Sequence, residues 1–141
     1  MPILSLDQAN RIISAALAEG LRLGLKPLSV AVLDSGGHLV AFQRQDGAST
    51  LRPQIAAAKA GGALALGVSS RKIAEMAGER PAFIGSLAGL SPCGVIPAAG
   101  GVIVIGEGGR PIGAVGITGD TSDNDETCAV AGIVAVGLIA Q

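Results

Sequence analysis

Residues 28–44 read Leu-Ser-Val-Ala-Val-Leu-Asp-Ser-Gly-Gly-His-Leu-Val-Ala-Phe-Gln-Arg, and this stretch decides the fold. Its first part, 28–34, is a short apolar run rich in valine and leucine, and 38–44 is a second run of similar length. Ser35-Gly36-Gly37 lies between them and supplies the residues that a tight turn requires. The stretch therefore predicts a β-hairpin with antiparallel strands.

A second hairpin is predicted in the C-terminal half of the chain. Residues 102–105 and 111–118 are apolar runs, and a glycine-rich turn at 106–110 separates them. Helical apolar spacing occupies most of the remaining chain. The predicted helices span, in chain order, residues 6–24, 54–68, 71–78 and 125–140. The resulting order of helix, hairpin, two helices, hairpin and helix predicts an antiparallel sheet with helices on its faces.

The predicted helices carry recognisable start signals. Ser5 with Gln8, and Asp123 with Glu126, have the spacing of a capping box. Pro53 suits the first turn of the second helix, where its missing N–H costs nothing. The segment 79–101, rich in glycine and proline, is predicted to be an irregular but ordered loop, because it is too apolar for a disordered linker. We therefore expect one domain over residues 1–141.

The composition argues against several classes of function. Ten basic residues stand against eleven acidic ones, and only two side chains, Phe42 and Phe83, are aromatic. Nucleic-acid binding is not expected, since it needs a basic surface or stacking aromatics. The N-terminus shows no signal-peptide pattern, and the apolar run 128–140 is shorter than the roughly 17–25 residues of a membrane-spanning helix. We expect a cytoplasmic protein with reduced cysteines that does not bind membranes.

Two predicted helices lack the polar stripe of a surface helix. Lys59 is the one charged residue between 55 and 68, and the last helix has no polar side chain after Thr127. Such helices are difficult to bury in a chain of this size, so we predict a homo-oligomer with the last helix in a subunit interface. The alternative is that the sheet and the 79–101 loop cover both helices within one chain.

Lys59 is the first candidate for a binding or catalytic site. A buried ammonium needs an anionic partner, and Asp46, at the end of the first hairpin, is predicted to supply one. Arg44 beside it leaves positive charge for an acidic small-molecule ligand. Gly100 and Gly101 are predicted to bring backbone N–H groups to the same pocket, which the start of the last helix is also predicted to border.

Each of these assignments has a simpler alternative. Lys59 could reach solvent or form a structural ion pair, the strand-end pair could be merely exposed, and the two glycines could form a plain turn. A Lys59→Met variant is expected to keep the fold while abolishing carboxylate binding.

Asp125 and Glu126 belong to a group of four acidic residues within 120–126. Capping and the helix dipole explain acidic residues at a helix start, but four exceed what capping needs. We therefore predict Asp125 as ligand-binding and Glu126, with Lys59, as catalytic. No metal site is expected, since neither these acids nor the cysteines have the spacing of a calcium or zinc motif. His38, which follows a turn, is expected to be exposed rather than catalytic.

The order of the motifs is more specific than any one of them. The motifs are Val30-Ala31-Val32-Leu33-Asp34-Ser35-Gly36-Gly37-His38-Leu39-Val40, Arg44-Gln45-Asp46-Gly47-Ala48, Ala58-Lys59-Ala60, Gly100-Gly101, Pro111-Ile112-Gly113-Ala114-Val115-Gly116-Ile117-Thr118-Gly119 and Asp123-Asn124-Asp125-Glu126. In this order they resemble the GlcG/HbpS family, often called haem-degrading-like, and also the C-terminal domain of PduO proteins.

The resemblance implies an α/β (α+β) fold, in which helices flank a five-stranded antiparallel sheet as a profilin-like sandwich, and it implies symmetric oligomers. The usual Gly-Gly-x-Pro-Ile run of the family is altered here to Gly100-Gly101-Val102-Ile103-Val104.

Three functions follow from the residues and the resemblance. The favoured one is small-ligand binding, with haem or a related tetrapyrrole as the candidate cofactor. Iron could be held by His38, Met76 or a cysteine. The second is a cytosolic catabolic enzyme of the isomerase or tautomerase type, which moves a proton on a small oxo- or hydroxy-acid. The third is an accessory structural oligomer without a ligand.

Overall fold

The computed structural model describes residues 3–141, which form five helices and five strands. The helices are α1 (Leu6–Leu23), α2 (Arg52–Leu66), α3 (Ser70–Glu79), α4 (Pro81–Leu87) and α5 (Ser122–Ala135). The strands are β1 (Ser29–Asp34), β2 (Leu39–Arg44), β3 (Gly101–Ile105), β4 (Pro111–Thr118) and β5 (Ile139–Ala140). Within residues 3–141, no helix combines the length and the apolar composition needed to cross a bilayer.

The five strands form one antiparallel sheet in the order β2-β1-β4-β3-β5. Both predicted hairpins are present, with Ser29 opposite Arg44 in the first and Gly101 opposite Gly116 in the second. β1 also pairs with β4, where Ser29 lies opposite Thr118, and this pairing joins the two hairpins. The predicted α/β fold, a five-stranded antiparallel sheet flanked by helices, is confirmed.

Side chains alternate between the two faces of the sheet, and each face is covered by different helices. Val30 and Val115 belong to the main core, which contains the buried isoleucines of α1 and α5. Leu33 and Ala114, on the opposite face, pack against Ala60 of α2. The predicted capping box of α1 is present, since the side chains of Ser5 and Gln8 each accept the other residue's backbone N–H.

Two glycines allow α2 to lie close to the sheet. A Cβ added at Gly116 would overlap the carbonyl oxygen of Ala56, and one added at Gly101 would overlap the carbonyl oxygen of Lys59. The facing part of α2 contributes mainly buried alanine and glycine. Backbone therefore packs against backbone here, and any side chain at either glycine would push the helix away.

The segment 79–101 is not wholly irregular as predicted, because it contains α4. Pro81 occupies the first turn of this helix, where proline is favoured. Ile84 is buried with Ile73 of α3 and Val95 of the following loop, in a small cluster separate from the main core. The prediction was wrong because these tertiary contacts, which stabilise a single short helix, do not show in local composition.

The last helix begins and ends earlier than predicted. Thr121 caps α5 instead of Asp123, since the Thr121 side chain accepts the backbone N–H of Asn124. The helix ends at Ala135, and Gly137 then turns the chain with a left-handed φ of 77°. Ile139 and Ala140 then form β5, which pairs with β3. Composition alone could not separate this strand from an apolar helix.

Replacing Gly116 by alanine is expected to lower the free energy of unfolding by about 1–3 kcal/mol, the usual cost of overpacking a core. The added methyl group would meet a backbone carbonyl of α2 that cannot move alone. Gly78→Ala in α3 is the matched control, because nothing lies within 4 Å of a Cβ added there. The control should raise stability by roughly 0.5–1 kcal/mol. Urea unfolding measures both, and a fully stable Gly116→Ala variant would contradict the close packing.

Candidate functional site

The ammonium of Lys59 is buried at one end of the sheet. Its Nζ donates to the carbonyl oxygen of Ile117 at 3.0 Å and to Oδ2 of Asp125 at 3.2 Å. The side chains of Lys59 and Asp125 are only 4% and 1% exposed. The other carboxylate oxygen of Asp125 accepts the backbone N–H of Asp120 at 3.0 Å. Lys59 therefore has an anionic partner, but that partner is Asp125 rather than the predicted Asp46.

Gly100 and Gly101 lie beside Lys59. Gly100 has a φ of 125°, and a Cβ added there would lie 2.9 Å from the Lys59 Nζ. The N–H of Gly101 donates to the hydroxyl of Ser70 at 2.7 Å. Since this donor is already used within the protein, the geometry favours a role for the two glycines in making room for Lys59 over the predicted role in anion binding.

Burial dominates the electrostatics of the Lys59–Asp125 pair. Burial lowers the pKa of Lys59, and Asp125 offsets part of that effect. Burial likewise raises the pKa of Asp125, which the Asp120 N–H and Lys59 partly oppose. Neither side chain borders any of the pockets described below. The geometry therefore favours a structural ion pair, which links α2 on one face of the sheet to α5 on the other.

Arg44 and Asp46 lie away from Lys59, at the end of the edge strand β2. The surface groove there is lined by Leu21, Leu25, Pro27, Arg44, Gln45 and Asp46. The prediction that Arg44, Asp46 and Lys59 share one pocket was wrong. The Lys59 side chain reaches the end of β4, and strand β1 lies between β4 and β2. Asp125 also occupies the position that was expected for Asp46 as the anionic partner of Lys59.

Glu126 lies in a third place, a groove of about 480 Å³ between α3 and α5. Both of its carboxylate oxygens accept from Nε of Arg71 at 3.0 Å, and Arg71 also binds Asp123. Because Glu126 and Lys59 have different partners, nothing in the geometry supports their predicted action as a catalytic pair. The acidic residues of 120–126 thus have separate partners, since Asp120 accepts the backbone N–H groups of Lys26 and Thr121, Asp123 and Glu126 bind Arg71, and Asp125 binds Lys59.

Two pockets that were not predicted adjoin the turn of the first hairpin. One of about 330 Å³ lies between this turn, α2 and the segment before β3. Its lining includes His38, Gly61, Leu64, Ala65, Pro92 and Cys93. The other, of about 390 Å³, is bordered by Ile3, Leu4, Val40 and Ile112. Ser35, Gly36 and His38 border both pockets, so the turn separates two mainly apolar cavities and His38 lines each of them.

Asp34 orients the imidazole of His38. Its Oδ1 lies 3.2 Å from Nδ1 of His38 and accepts the backbone N–H groups of His38 and Gly36, each at 2.9 Å. These N–H groups, together with the imidazole, hold the pKa of Asp34 below its usual value. At this distance Asp34 can accept a hydrogen bond from Nδ1–H, and a neutral imidazole of that tautomer keeps a lone pair on Nε2. Histidines that ligate metals commonly have a carboxylate behind them in this way.

Only part of this site carried a signal in the sequence. The Ser-Gly-Gly-His turn indicated that His38 is exposed, and its side chain is 81% exposed. Cys93 lies 56 positions after Gly37 in the sequence, yet its Sγ lies 3.6 Å from the Gly37 carbonyl oxygen. Neither composition nor spacing in the sequence predicts that Cys93 lies beside the turn that contains Gly37 and His38.

The comparison with protein families agrees with this fold. The family described as haem-degrading protein HbpS-like matches residues 4–134. The chain belongs to this family. The predicted resemblance to GlcG/HbpS and PduO proteins is confirmed, and no curated protein sequence matches the chain.

Several solved structures share the fold of this HbpS-like chain. PduOC in complex with haem has a TM-score of 0.88 at 23% identity, with 99% of each chain covered. A double mutant of HbpS from Streptomyces reticuli has a TM-score of 0.83 at 28% identity, covering 97% of this chain and 89% of that one. ORFY from Klebsiella pneumoniae has a TM-score of 0.84 at 25% identity, covering 94% of this chain and 90% of that one.

Replacing Lys59 by methionine in this HbpS-like protein is expected to lower the free energy of unfolding by about 3–5 kcal/mol, as when one partner of a buried ion pair is removed. The sequence-based expectation that this variant keeps its fold is therefore revised. The double variant Lys59→Met/Asp125→Asn is the control, because it also removes the stranded carboxylate and should recover most of the loss. Chemical unfolding of both single variants and the double variant measures the coupling.

The destabilisation of Lys59→Met should also depend on pH. Without the ammonium, burial holds the pKa of Asp125 above its unfolded value of about 3.9. The folded state then binds the proton more tightly than the unfolded state, so stability falls as the pH rises above that value. We therefore expect Lys59→Met to lower the free energy of unfolding less at about pH 5 than at about pH 8. A loss that is the same at both would contradict the buried pair.

Proposed function

We propose that the protein binds haem or a related tetrapyrrole at the two pockets beside His38. The observation that carries this proposal is the position of His38, which borders both apolar cavities and whose Nδ1 lies 3.2 Å from the Asp34 carboxylate. The membership of the HbpS-like family and the haem complex of PduOC, a structural neighbour, support the choice of ligand.

The residues at this site fit a haem iron better than a free metal ion. Within residues 3–141, no three His, Cys, Asp or Glu side chains are grouped to hold a metal ion. A porphyrin brings four nitrogen ligands of its own, so a single histidine is enough to complete the coordination. When bound, haem would supply a redox-active iron, and His38 would hold that iron through Nε2.

The size and lining of the pockets also suit a large, flat and mainly apolar ligand. Each pocket lies near the lower end of the roughly 300–1,000 Å³ common for small-molecule sites, so a tetrapyrrole would extend over both or remain partly exposed. Leu64 and Pro92 on one side, and Leu4 and Val40 on the other, offer apolar contacts.

The charges around the turn favour recognition of the ring and its iron over recognition of carboxylates. No lysine or arginine borders either pocket, so the acidic groups of a tetrapyrrole would remain in solvent. The acidic ligand expected from Arg44 and Lys59 gains no support from these residues, since one lies in another groove and the other is buried.

The alternative of a proton-transfer enzyme has less support. It requires a base that a substrate can reach, and Lys59 is 3% exposed and bound to Asp125. Glu126 is accessible, but Arg71 binds both of its oxygens. No specific observation favours this alternative, and a protein that binds no ligand remains an outcome of the test below.

Hemin titration of the purified protein is expected to give a saturable Soret band, which His38→Ala should abolish or strongly weaken. Two variants serve as controls. Met76→Leu keeps side-chain volume while removing another potential iron ligand, and Arg71→Gln removes the cation of the α3–α5 groove. Both should bind as the wild type does. Wild-type affinity in His38→Ala, or loss in either control, would place the ligand elsewhere.

We also propose that the protein self-associates through the outer face of α5. Val130 and Val134 lie one helical turn apart and are 36% and 59% exposed, and Ile139 on the edge strand β5 is 62% exposed. An exposed apolar surface beside an open sheet edge is suited to being covered by a second copy.

Val134→Glu is expected to convert an oligomeric wild type into monomers, because it places a charge in the proposed interface. Leu21→Glu is the matched control, since Leu21 is equally apolar and 74% exposed but lies on α1. Sedimentation velocity at micromolar concentration distinguishes the cases. A monomeric wild type would remove the proposal, as would an equal effect of both substitutions.

A further inference from the structure

Arg52, the first residue of α2, is a half-buried cation without an acidic partner. Its Nη1 donates to Oγ1 of Thr118 at 2.7 Å, and its Nε donates to the hydroxyl of Ser49 at 3.2 Å. Within residues 3–141 no ion pair includes Arg52. The helix dipole disfavours a positive charge in the first turn. The position of Arg52 therefore needs an explanation other than charge pairing inside the protein.

The start of α2 supplies no negative charge of its own. Leu51 stands at the N-cap, and its side chain cannot accept a hydrogen bond. The first turn contains no acidic residue. Helix starts favour a capping oxygen or an anion, because their first N–H groups lack partners inside the helix and carry partial positive charge. An anion at this end of α2 would therefore interact favourably with both the helix and Arg52.

The hydroxyl of Ser29 is a second and independent observation at the same place. Ser29 is 0% exposed, and its Oγ is the one buried side-chain polar atom within residues 3–141 that has no hydrogen-bond partner. Ser29 lies opposite Thr118 in the β1–β4 pairing, and side chains of such pairs share a face with Cβ atoms about 4.5–5.5 Å apart. Because Val30 faces the main core, alternation places Ser29 on the side of α2. The unpaired hydroxyl thus lies beside the one that Arg52 binds.

Taken together, these groups offer more hydrogen-bond donors than acceptors. A guanidinium only donates, and the hydroxyls of Ser29, Ser49 and Thr118 can each donate one O–H. Ser29 and Thr118 are both buried, and a buried donor without an acceptor costs free energy. An oxyanion would supply the acceptor atoms and the negative charge that this cluster lacks. Arg52 is only half-buried and Ser49 is exposed, so such a group can approach from solvent.

Anchoring of α2 to the end of β4 is the competing explanation for Arg52. The hydrogen bond from Arg52 to Thr118 would serve that purpose. This explanation leaves two features unexplained. A neutral donor would bind Thr118 without opposing the helix dipole, and anchoring through Thr118 gives no reason for an unpaired hydroxyl at Ser29.

We infer that the N-terminal end of α2 binds a small oxyanion, a carboxylate or phosphate group, through Arg52. The hydroxyls of Ser29 and Thr118 are the further donors. This site is independent of the proposed haem site, which lies beside Gly61, Leu64 and Ala65 in the second half of the same helix. Guanidinium groups recognise both kinds of oxyanion, because their N–H groups form a planar fork.

The test follows the backbone amide and arginine Nε–H signals of isotope-labelled protein during titration with inorganic phosphate, and separately with acetate, at constant ionic strength. We expect saturable shifts at Arg52, Ser29 and Thr118 with at least one of the two anions, and the one that binds more tightly identifies the preferred group. Arg52→Gln should weaken that binding by about tenfold or more, as expected for lost hydrogen bonds to a charged group. Arg110→Gln is the matched control and should bind as the wild type does. Arg110 also forms no ion pair within residues 3–141, but it lies in the turn before β4.

Ser29→Ala separates a binding role from a structural one. Without an added anion it should unfold at the same or a higher urea concentration than the wild type, because it removes a buried hydroxyl that has no partner. Its affinity for the anion should nevertheless fall by about tenfold. A hydroxyl with only a structural role would instead lower stability and leave anion binding unchanged.

Three results would overturn the inference. The first is a wild type whose shifts do not saturate with either anion, the second is an equal effect of Arg52→Gln and Arg110→Gln, and the third is wild-type affinity in Ser29→Ala. If Arg52→Gln does not fold, the Nε–H signal of Arg52 in the wild type decides, since it must shift with the bound anion. Loss of hemin binding in His38→Ala has no bearing on any of these results.

Discussion

The ion pair between Lys59 and Asp125 is the contact on which the arrangement of the two helical layers depends. Lys59 belongs to the helix on one face of the sheet, Asp125 belongs to a helix on the other, and the two side chains meet at the sheet's end. Removing two charges from water is costly unless each finds good partners. The carbonyl oxygen of Ile117 accepts a hydrogen bond from the Lys59 ammonium, and the backbone N–H of Asp120 donates one to the Asp125 carboxylate. Both buried charges therefore have a backbone partner as well as each other.

The glycines next to the pair follow from the same requirement. For the Lys59 side chain to reach past the end of the sheet, α2 must lie against the strands almost without intervening side chains. Gly101 and Gly116 allow this approach, and Gly100 leaves space for the ammonium itself. Residues that resemble a ligand-binding loop in the sequence therefore have a structural explanation.

The distribution of charged side chains points to the hairpin turn. Lys59 and Asp125 neutralise each other, and Arg71 binds Asp123 and Glu126. Around the turn, by contrast, Asp34 is committed to the backbone and to Nδ1 of His38, which leaves Nε2 available beside two apolar pockets. The proposed site therefore has few charges and a histidine beside two mainly apolar pockets, which is why haem is proposed as its ligand in place of a small acid.

Local sequence patterns predicted most of the fold but little of the site. The two hairpins and the α1 capping box depend on residues close together in the chain, and all three are present. The short α4 and β5 were missed because each depends on contacts with distant elements. The same limit applies to function, since Lys59 and Asp125 are 66 positions apart and Gly37 and Cys93 are 56 apart. The sequence indicated that Lys59 needs an anion, but several acids were equally plausible partners.

The proposed haem site lies at the turn of the first hairpin and not around Lys59. Paramagnetic broadening of backbone amide signals by ferric hemin tests it directly, because the effect reports proximity to the iron in the intact protein. We predict that broadening is strongest at residues 35–38 and extends to 61–65 and 91–93. Broadening centred on α3 and α5 near Arg71, or on Gly100 and the start of α5, would contradict the account.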